Sequence, residues 1–304
     1  MMPIRTFRTT LRAVPVLACL LAVGCATSPR TGLDSRAGDH TDADVEVIPA
    51  SGVRWGALNP ARGAHGPRAA DLWGDRTGSD ATGMLVRFAD GFSSPPHIHN
   101  TTYRGVVLEG LIHNDDPDAE ESWMPTGSYW TQPAGEVHIT SAKGDGRLVF
   151  IEIQHGPYLV LPTDEATDNG ERAVNIHASN MVWLDASSAA RIVQSSTDRP
   201  AEGPKVSYLW GDPHDQDPSA ALVKLPGGFA GTLRGDGPSL RVVVVEGQVH
   251  FQRSGENGVL ALDPGSYIGS QSGASQRISL GTDSPCVLYV RAEGALEIST
   301  GLPR

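Results

Sequence analysis

The amino-acid sequence predicts an all-β fold made of two tandem copies of one domain. The chain of 304 residues contains 35 glycines and 22 prolines, and only 6% of its residues are aromatic. Short apolar runs alternate with turns rich in glycine, proline and aspartate, a pattern typical of short strands rather than long helices. Several short motifs also recur once along the chain. The length is sufficient for two domains with separate cores.

The recurring motifs define the two copies. They are Leu-Trp-Gly-Asp at 72–75 and 209–212, Gly-Phe at 91–92 and 228–229, a Val-Val-x-Glu-Gly run at 106–110 and 243–247, and Gly-Ser-Tyr at 127–129 and 265–267. The first three pairs lie 137 residues apart and the last pair 138, so one domain is present twice with a single late insertion. The predicted strands include 84–88, 103–109, 147–153, 221–225, 240–246 and 286–291. We place the domain boundaries at 45–162 and 163–304.

The first 24 residues have the composition of a signal peptide, in which three arginines precede a short apolar core. The arginines are Arg5, Arg8 and Arg12, and the core spans 13–23. The run Leu-Ala-Val-Gly that ends at Cys25 resembles a bacterial lipobox, which implies cleavage before Cys25 and lipidation of that residue. Ala26 follows in place of aspartate, which implies export to the periplasmic face of the outer membrane. The alternative is an ordinary secretory signal with an incidental cysteine.

The remainder of the chain fits an exported protein. Residues 25–44 are polar and lack apolar periodicity, so we expect a flexible tether. Loss of the signal removes three arginines and no acid, which changes the formal charge from −11 to −14 and argues against a nucleic-acid partner. Cys286 is then the only cysteine that is neither removed nor lipidated, so no internal disulfide forms and we expect this thiol to be buried.

Three histidines form a candidate metal site. His97 and His99 are two residues apart in a strand-like stretch, so their side chains lie on the same face. A third histidine from a later strand, His138, can complete a site that keeps an open position. Imidazole ligands suit zinc, iron and nickel, and a neutral site disfavours metals that prefer carboxylates. The predicted cofactor is one divalent metal ion, zinc or iron, with nickel as an alternative.

The same stretch resembles the two motifs of the cupin superfamily. The matching residues are Gly91, His97, His99, Gly110, Gly127, Pro133, Gly135 and His138. The resemblance implies two tandem cupin domains, each a jelly roll (double-stranded β-helix). It also implies a fourth metal ligand at position 103, where the family has glutamate and this chain has tyrosine. The motif's closing asparagine is replaced by Ala142.

Tyr103 is the candidate catalytic residue, and three roles are open to it. It could ligate the metal as a phenolate, hydrogen-bond a metal-bound water, or fill the space of the missing glutamate. Its parity with the two strand histidines predicts that the ring points into the same cavity.

The second copy has lost these residues. At a constant offset, Arg234 and Asp236 stand in place of His97 and His99, while Leu240 and Gln276 replace the other two ligands. We therefore expect a structural second domain, in which a buried ion pair between Arg234 and Asp236 occupies the space of the metal. The alternative is a separate ligand pocket lined by these two residues.

A closer resemblance is to the cupin domain of the anti-sigma factor that senses singlet oxygen, and to bacterial bicupins related to it. It rests on the run Gly105–Gly110 and on the Gly-Ser-Tyr motif, and it implies zinc binding. Iron cupins with three histidines include dioxygenases. The chain is accordingly expected to be a metal-dependent enzyme of the dioxygenase or hydrolase type; the alternative is a non-catalytic binding or sensing lipoprotein. The expected partners are a small molecule, the membrane and a second copy in a homodimer.

Overall fold

The computed structural model describes residues 45–59, 63, 66–189, 191–193, 202–253, 258–271 and 275–301. The predicted signal peptide, Cys25 and the tether lie outside these residues. Within them the structure is almost entirely β, and the helices are single 3-10 turns at Ala50–Gly52, Thr163–Glu165 and Ala178–Asn180. None of the described helices has the length and apolar character needed to cross a membrane. The predicted all-β class is confirmed.

The strands follow the two copies in order. Before residue 163 they are β1 (Val45–Ile48), β2 (Gly56–Ala57), β3 (Arg68–Trp73), β4 (Thr82–Arg87), β5 (Ile98–His99), β6 (Tyr103–Asp115), β7 (Tyr129–Gln132), β8 (Ile139–Ile153) and β9 (Val160–Leu161). After it they are β10 (Val174–Ile176), β11 (Ile192–Val193), β12 (Lys205–Trp210), β13 (Pro218–Leu225), β14 (Ala230–Gly235), β15 (Ser239–Glu246), β16 (Val249–Gln252), β17 (Val259–Leu262), β18 (Tyr267–Gln271), β19 (Ser275–Ser279), β20 (Cys286–Glu293) and β21 (Leu296–Thr300). All six strands predicted from the sequence are present.

Each half consists of two sheets. The first half has a seven-stranded sheet in the order β10-β7-β6-β8-β4-β3-β2 and the small sheet β5-β9. The second half has six-stranded sheets in the orders β1-β18-β15-β20-β13-β12 and β11-β21-β14-β19-β16-β17. Separate apolar cores fill the two halves, and Cys286 is buried in the second.

The first strand of each half pairs with the sheet of the other half. β1 pairs antiparallel with β18, and β10 pairs in the same way with β7. The serines of the repeated Gly-Ser-Tyr motif bind the segments that follow these two exchanged strands. Ser266 Oγ accepts a hydrogen bond from the Ala50 amide at 2.9 Å, and Ser128 Oγ accepts one from the Ala178 amide at 3.0 Å. The exchange runs across the predicted boundary at 162/163, which itself stays a prediction.

A third core lies between the halves, and the Leu-Trp-Gly-Asp repeats contribute to it. Trp73 packs against Tyr267 with ring centroids 5.3 Å apart. The Arg241 guanidinium lies 5.1 Å from the Trp73 ring centroid, and Arg104 lies 4.4 Å from that of Trp210. Both arginines and both tryptophans are 137 residues apart, so the two contacts are equivalent under the internal repeat. The repeated motifs therefore make the same contact twice in the interface between the two halves.

A buried ion pair also joins the two halves. Glu152 on β8 accepts from Arg291 Nε on β20 at 3.0 Å, and their side chains are 0% and 3% exposed. Tyr289 donates its hydroxyl proton to the other Glu152 oxygen at 2.6 Å and accepts from Trp210 Nε1 at 3.1 Å. Because charges this deeply buried need partners, the network fixes how the two sheets are aligned.

Candidate metal centre

Two pairs of strand segments position the three histidines. His97 and His138 face each other across an antiparallel bridge, with amide-to-carbonyl distances of 3.1 and 3.0 Å. His99 lies on β5, which pairs with β9. The His99 carbonyl accepts from the Gly135 amide at 2.8 Å, and Gly135 has a φ of +78°, which suits glycine at this turn. The motif glycine therefore holds the segment that presents His138 against the segment that presents the other two histidines.

Backbone carbonyls fix the orientation of all three rings. Each Nδ1 contacts a carbonyl oxygen: Pro95 at 2.9 Å from His97, Leu159 at 2.7 Å from His99, and Glu136 at 3.2 Å from His138. A carbonyl can only accept, so each Nδ1 carries the proton and each neutral ring keeps its lone pair on Nε2. This is the arrangement in which proteins prepare histidine for a metal.

The three rings offer donor nitrogens that lie within 4.8 Å of one another. The residues are 8%, 3% and 0% exposed for His97, His99 and His138. Burial, together with the nearby His97, lowers the pKa of His138 to about 3, so this ring is neutral at ordinary pH. Three imidazoles, buried and converging, match the donor set that zinc, iron or nickel accepts.

Tyr103 lies beside this set. Its hydroxyl donates to Asn114 Oδ1 at 2.8 Å and contacts His138 Nε2 at 3.3 Å. Since the single proton goes to Asn114, the tyrosine oxygen and His138 Nε2 present lone pairs to each other. Such a pair is compatible with a cation or a bridging water, and this observation also fits a metal. Burial raises the pKa of Tyr103, which favours the neutral phenol over the phenolate among its three open roles.

Tyr158 is a site residue that no spacing motif indicates. Its hydroxyl lies 3.1 Å from His99 Nε2, and its ring stacks on the His99 ring at 4.3 Å between centroids. Burial raises its pKa, so it is a neutral phenol that donates to that nitrogen, and this hydrogen bond must break when His99 Nε2 binds a metal. Tyr158 lies in the segment between β8 and β9, and the pairing of β9 with β5 brings this segment beside His99.

The histidines open into a small apolar cavity of about 50 Å³. Its wall includes the side chains Leu58, Phe88, Phe92, Trp130, Ile151, Tyr158 and Val160. Among the described residues that line it, none carries a carboxylate, an ammonium or a guanidinium. Trp130 can approach because residue 105 is glycine: a Cβ there would lie 2.1 Å from the Trp130 ring.

The predicted ion pair in the second half is wrong. Arg234 and Asp236 are both exposed and point away from the interior. Asp236 instead pairs with Arg191 at 3.4 Å, where the two side chains are 44% and 40% exposed. A charged pair in an apolar barrel would have to be desolvated, and the strand presents its alternate residues inward instead.

The residues that occupy the equivalent interior positions are mainly apolar. Leu233 pairs with Gln276 across β14 and β19 as His97 pairs with His138, so Leu233 and Gly235 correspond to the two strand histidines. Five residues lie between Gly91 and His97, but only four lie between Gly228 and Leu233. The second copy has one extra residue between Gly235 and Leu240. The constant offset of 137 is therefore correct at Gly228 and at Leu240 and wrong by one residue between them.

The family model described as "domain of unknown function (DUF4437)" matches residues 46–299, which is most of the chain and both of its halves. The chain belongs to the DUF4437 family. No curated protein shows significant similarity to it.

Solved structures resemble the chain in fold at low sequence identity. A candidate dioxygenase from Nostoc punctiforme superposes with a TM-score of 0.60 at 13% identity, covering 86% of this chain and 88% of that one. Oxalate decarboxylase from Lactobacillus farciminis gives 0.51 at 12%, covering 82% and 86%. AerE from Microcystis aeruginosa gives 0.50 at 13%, covering 81% and 97%. These neighbours confirm the tandem cupin jelly-roll architecture, and identities this low bear on the fold alone.

Proposed function

We propose that this protein is a metal-dependent oxygenase of the dioxygenase type that acts on a small, largely apolar molecule. The observation that carries the proposal is the convergence of three buried, carbonyl-oriented imidazoles on an apolar cavity. His97, His99 and His138 would hold one divalent metal ion. When bound there, the ion supplies Lewis acidity, and iron also supplies the redox chemistry that dioxygen requires.

The cavity wall favours oxygenation over hydrolysis. Hydrolysis depends on a group that moves protons to and from water and the leaving group. The described lining residues outside the histidines include tyrosine, serine and threonine hydroxyls but no acid or lysine. An apolar wall instead excludes water from a reactive centre and accepts an apolar substrate. Oxalate is a dianion, and this wall offers no guanidinium to bind it.

The two tyrosines have separate roles in this proposal. Tyr103 donates its hydroxyl proton to Asn114 Oδ1, so the lone pairs of its oxygen face the centre and accept a hydrogen bond from a water or substrate hydroxyl. Asn114 is held in turn by Thr140 and Gln132 at 2.8 and 2.9 Å, so the orientation of Tyr103 is fixed from behind. Tyr158 covers His99 and separates the histidines from solvent.

The test combines elemental analysis with oxygen consumption on the purified protein. We expect about one equivalent of iron, zinc or nickel per chain, lost in His138→Gln, which introduces the residue that the second half has at its equivalent position. His113→Gln is the matched control, because His113 is equally buried but lies outside the cluster. Full metal content in His138→Gln would refute the site.

A second candidate function is that of a non-catalytic metal or ligand binder. The observation in its favour is the cavity volume of about 50 Å³, which admits a molecule no larger than a few atoms unless side chains move. The native metal distinguishes the two: iron with substrate-dependent oxygen uptake supports the oxygenase. Tightly held zinc without oxygen uptake supports the binder.

We also propose that the protein is exported and tethered through a lipid on Cys25, on the periplasmic face of the outer membrane. The lipobox-like run before Cys25 supports this proposal. Lipidation of that cysteine attaches several acyl chains, and several chains anchor a protein durably. Radiolabelled palmitate should enter the wild-type protein and not Cys25→Ser, which should leave the membrane fraction. Equal membrane retention of both proteins would contradict the proposal.

A further inference from the structure

A second cavity, of about 450 Å³, lies between the two halves and apart from the histidines. The first half contributes Asp71 and Trp73 together with Glu46 on the exchanged strand β1. The second half contributes Ser239 and Arg241 on β15, and β18 completes the wall. Interfaces between domains are common places for ligand sites. This volume is large enough for a small organic molecule, unlike the cavity at the histidines.

Arg241 is a half-buried cation that forms no ion pair within the described residues. Among the described residues, no carboxylate forms an ion pair with it, and its contact in this region is with the Trp73 ring. The charges of Glu152 and Glu293 act on it, but Arg291 binds both of these acids at 3.0 Å. Arg291 lies directly opposite Arg241 in the β15–β20 register and adds a second positive charge. Removal from water lowers the pKa of Arg241, as expected of a guanidinium that lacks a counterion.

Other polar atoms in the wall also lack partners. Ser239 is 8% exposed, and its buried Oγ has no hydrogen-bond partner in the described structure. Asp71 gives one oxygen to Arg76 at 2.9 Å, and its other oxygen is buried and unpartnered. A buried polar atom without a partner destabilises the protein, so a ligand that supplies the partner recovers that energy. Tyr267 adds a neutral phenol, because burial raises its pKa to about 12.

The internal repeat places different charges at two equivalent positions of the interface. Arg104 is the equivalent of Arg241 and contacts Trp210 in the equivalent way. Opposite Arg104 in the register stands Glu152, whereas opposite Arg241 stands Arg291. One side of the interface therefore places an acid opposite its arginine, and the other places a second arginine there. Glu152 bonds to Arg291, so the Nε and Nη1 atoms of Arg104 are also buried without hydrogen-bond partners in the described structure.

We infer that the cavity between the halves binds a small organic carboxylate that also carries a hydroxyl or ammonium group. The carboxylate pairs with Arg241 and accepts from Ser239, while the hydroxyl or ammonium donates to the free oxygen of Asp71. Glu46 stands exposed at the rim and disfavours ligands with a second negative charge. Both halves hold the ligand, so its binding also stabilises the contact between them.

The test uses isothermal titration calorimetry of the metal-loaded full-length protein. The probes are lactate and L-alanine, with propionate as the control that lacks the second donor and lactamide as the control that lacks the charge. We expect 1:1 binding of lactate or alanine at least about 10-fold tighter than either control, as charge-assisted hydrogen bonds of this kind require. Which of the two binds better identifies the donor as hydroxyl or ammonium. Equal affinity for lactate and lactamide overturns the inference, and so does failure of both acids to bind at about 10 mM.

Variants locate the site and separate this inference from the proposed metal centre. Arg241→Gln should weaken binding by about 10-fold or more, and Arg241→Lys should restore part of it. Ser239→Ala, a smaller change, should weaken binding several-fold even if the arginine variant folds poorly. Arg104→Lys is the matched control and should bind as the wild type does. Binding must persist in His138→Gln; its loss there would place the acid at the histidines and overturn the inference.

Discussion

Removal of the Glu152 carboxylate should destabilise the whole molecule, because it leaves a cation buried between the halves. In Glu152→Ala, Arg291 loses its 3.0 Å partner while its side chain stays 3% exposed. Loss of one partner of a buried pair costs about 3–5 kcal/mol. Arg291 keeps Glu293 at 3.0 Å, and Glu293 is 26% exposed, so we expect the lower end of that range, about 3 kcal/mol.

Urea unfolding followed by tryptophan fluorescence measures this loss, with circular dichroism as a second probe. The double variant Glu152→Leu with Arg291→Met replaces the pair by apolar side chains and should lie within about 2 kcal/mol of the wild type. Asp168→Ala is the exposed control: its partner is Arg172, both side chains are 70% exposed, and the urea midpoint should stay that of the wild type. A cost below about 1 kcal/mol for Glu152→Ala would refute the view that this pair is buried and essential.

Three further results are expected. The pKa of His138 is lowered to about 3 in the folded protein, whereas an unfolded histidine titrates near about 6.5. Between these two pH values the unfolded chain binds more protons, so the metal-free protein should lose up to about 1.4 kcal/mol of stability per pH unit as the pH falls below 6.5. The slope should be shallower in His138→Gln. Ser128→Ala removes the acceptor of the Ala178 amide and should cost about 1–3 kcal/mol in urea unfolding, whereas an unchanged midpoint would mean that the exchanged strand needs no fastening. Burial raises the pKa of Cys286 to about 12, so in protein whose other cysteines are replaced by serine this thiol should react with a disulfide reagent at pH 8 only after unfolding.

The sequence predicts the local features of the candidate site and fails where a feature depends on register. The spacing of His97 and His99 fixes a common face, and the later turn brings His138 opposite to them. Relative to the first half, the second half lacks one residue before Leu233 and has one extra residue after it, so the motifs on both sides keep their offset of 137. A shift of one residue turns a strand's side chains to the other face, so Arg234 is exposed where the constant offset places it inside.

Contacts between distant segments are the other part that the sequence does not reveal. Ala-Ser at 50–51 recurs at 178–179, a spacing of 128 that differs from the 137 of the other motifs, so the exchanged segments escape a search at constant offset. Tyr158 reaches His99 only because β9 returns to β5. The partnership of Glu152 with Arg291 depends on how two sheets face each other, which neither alternation nor spacing within one strand can specify.

The exchanged strands also set the order in which the chain can be completed during its synthesis. Ile48 pairs with Tyr267, which follows it by 219 residues, so β1 has no partner until most of the chain exists. At about 5–20 residues per second, that interval is roughly 10–45 s. β10 needs no such wait, because β7 precedes it in the chain. The first half can therefore complete its large sheet while β1 remains a free strand edge, the kind of surface on which chaperones act and from which misassembly between neighbouring chains begins.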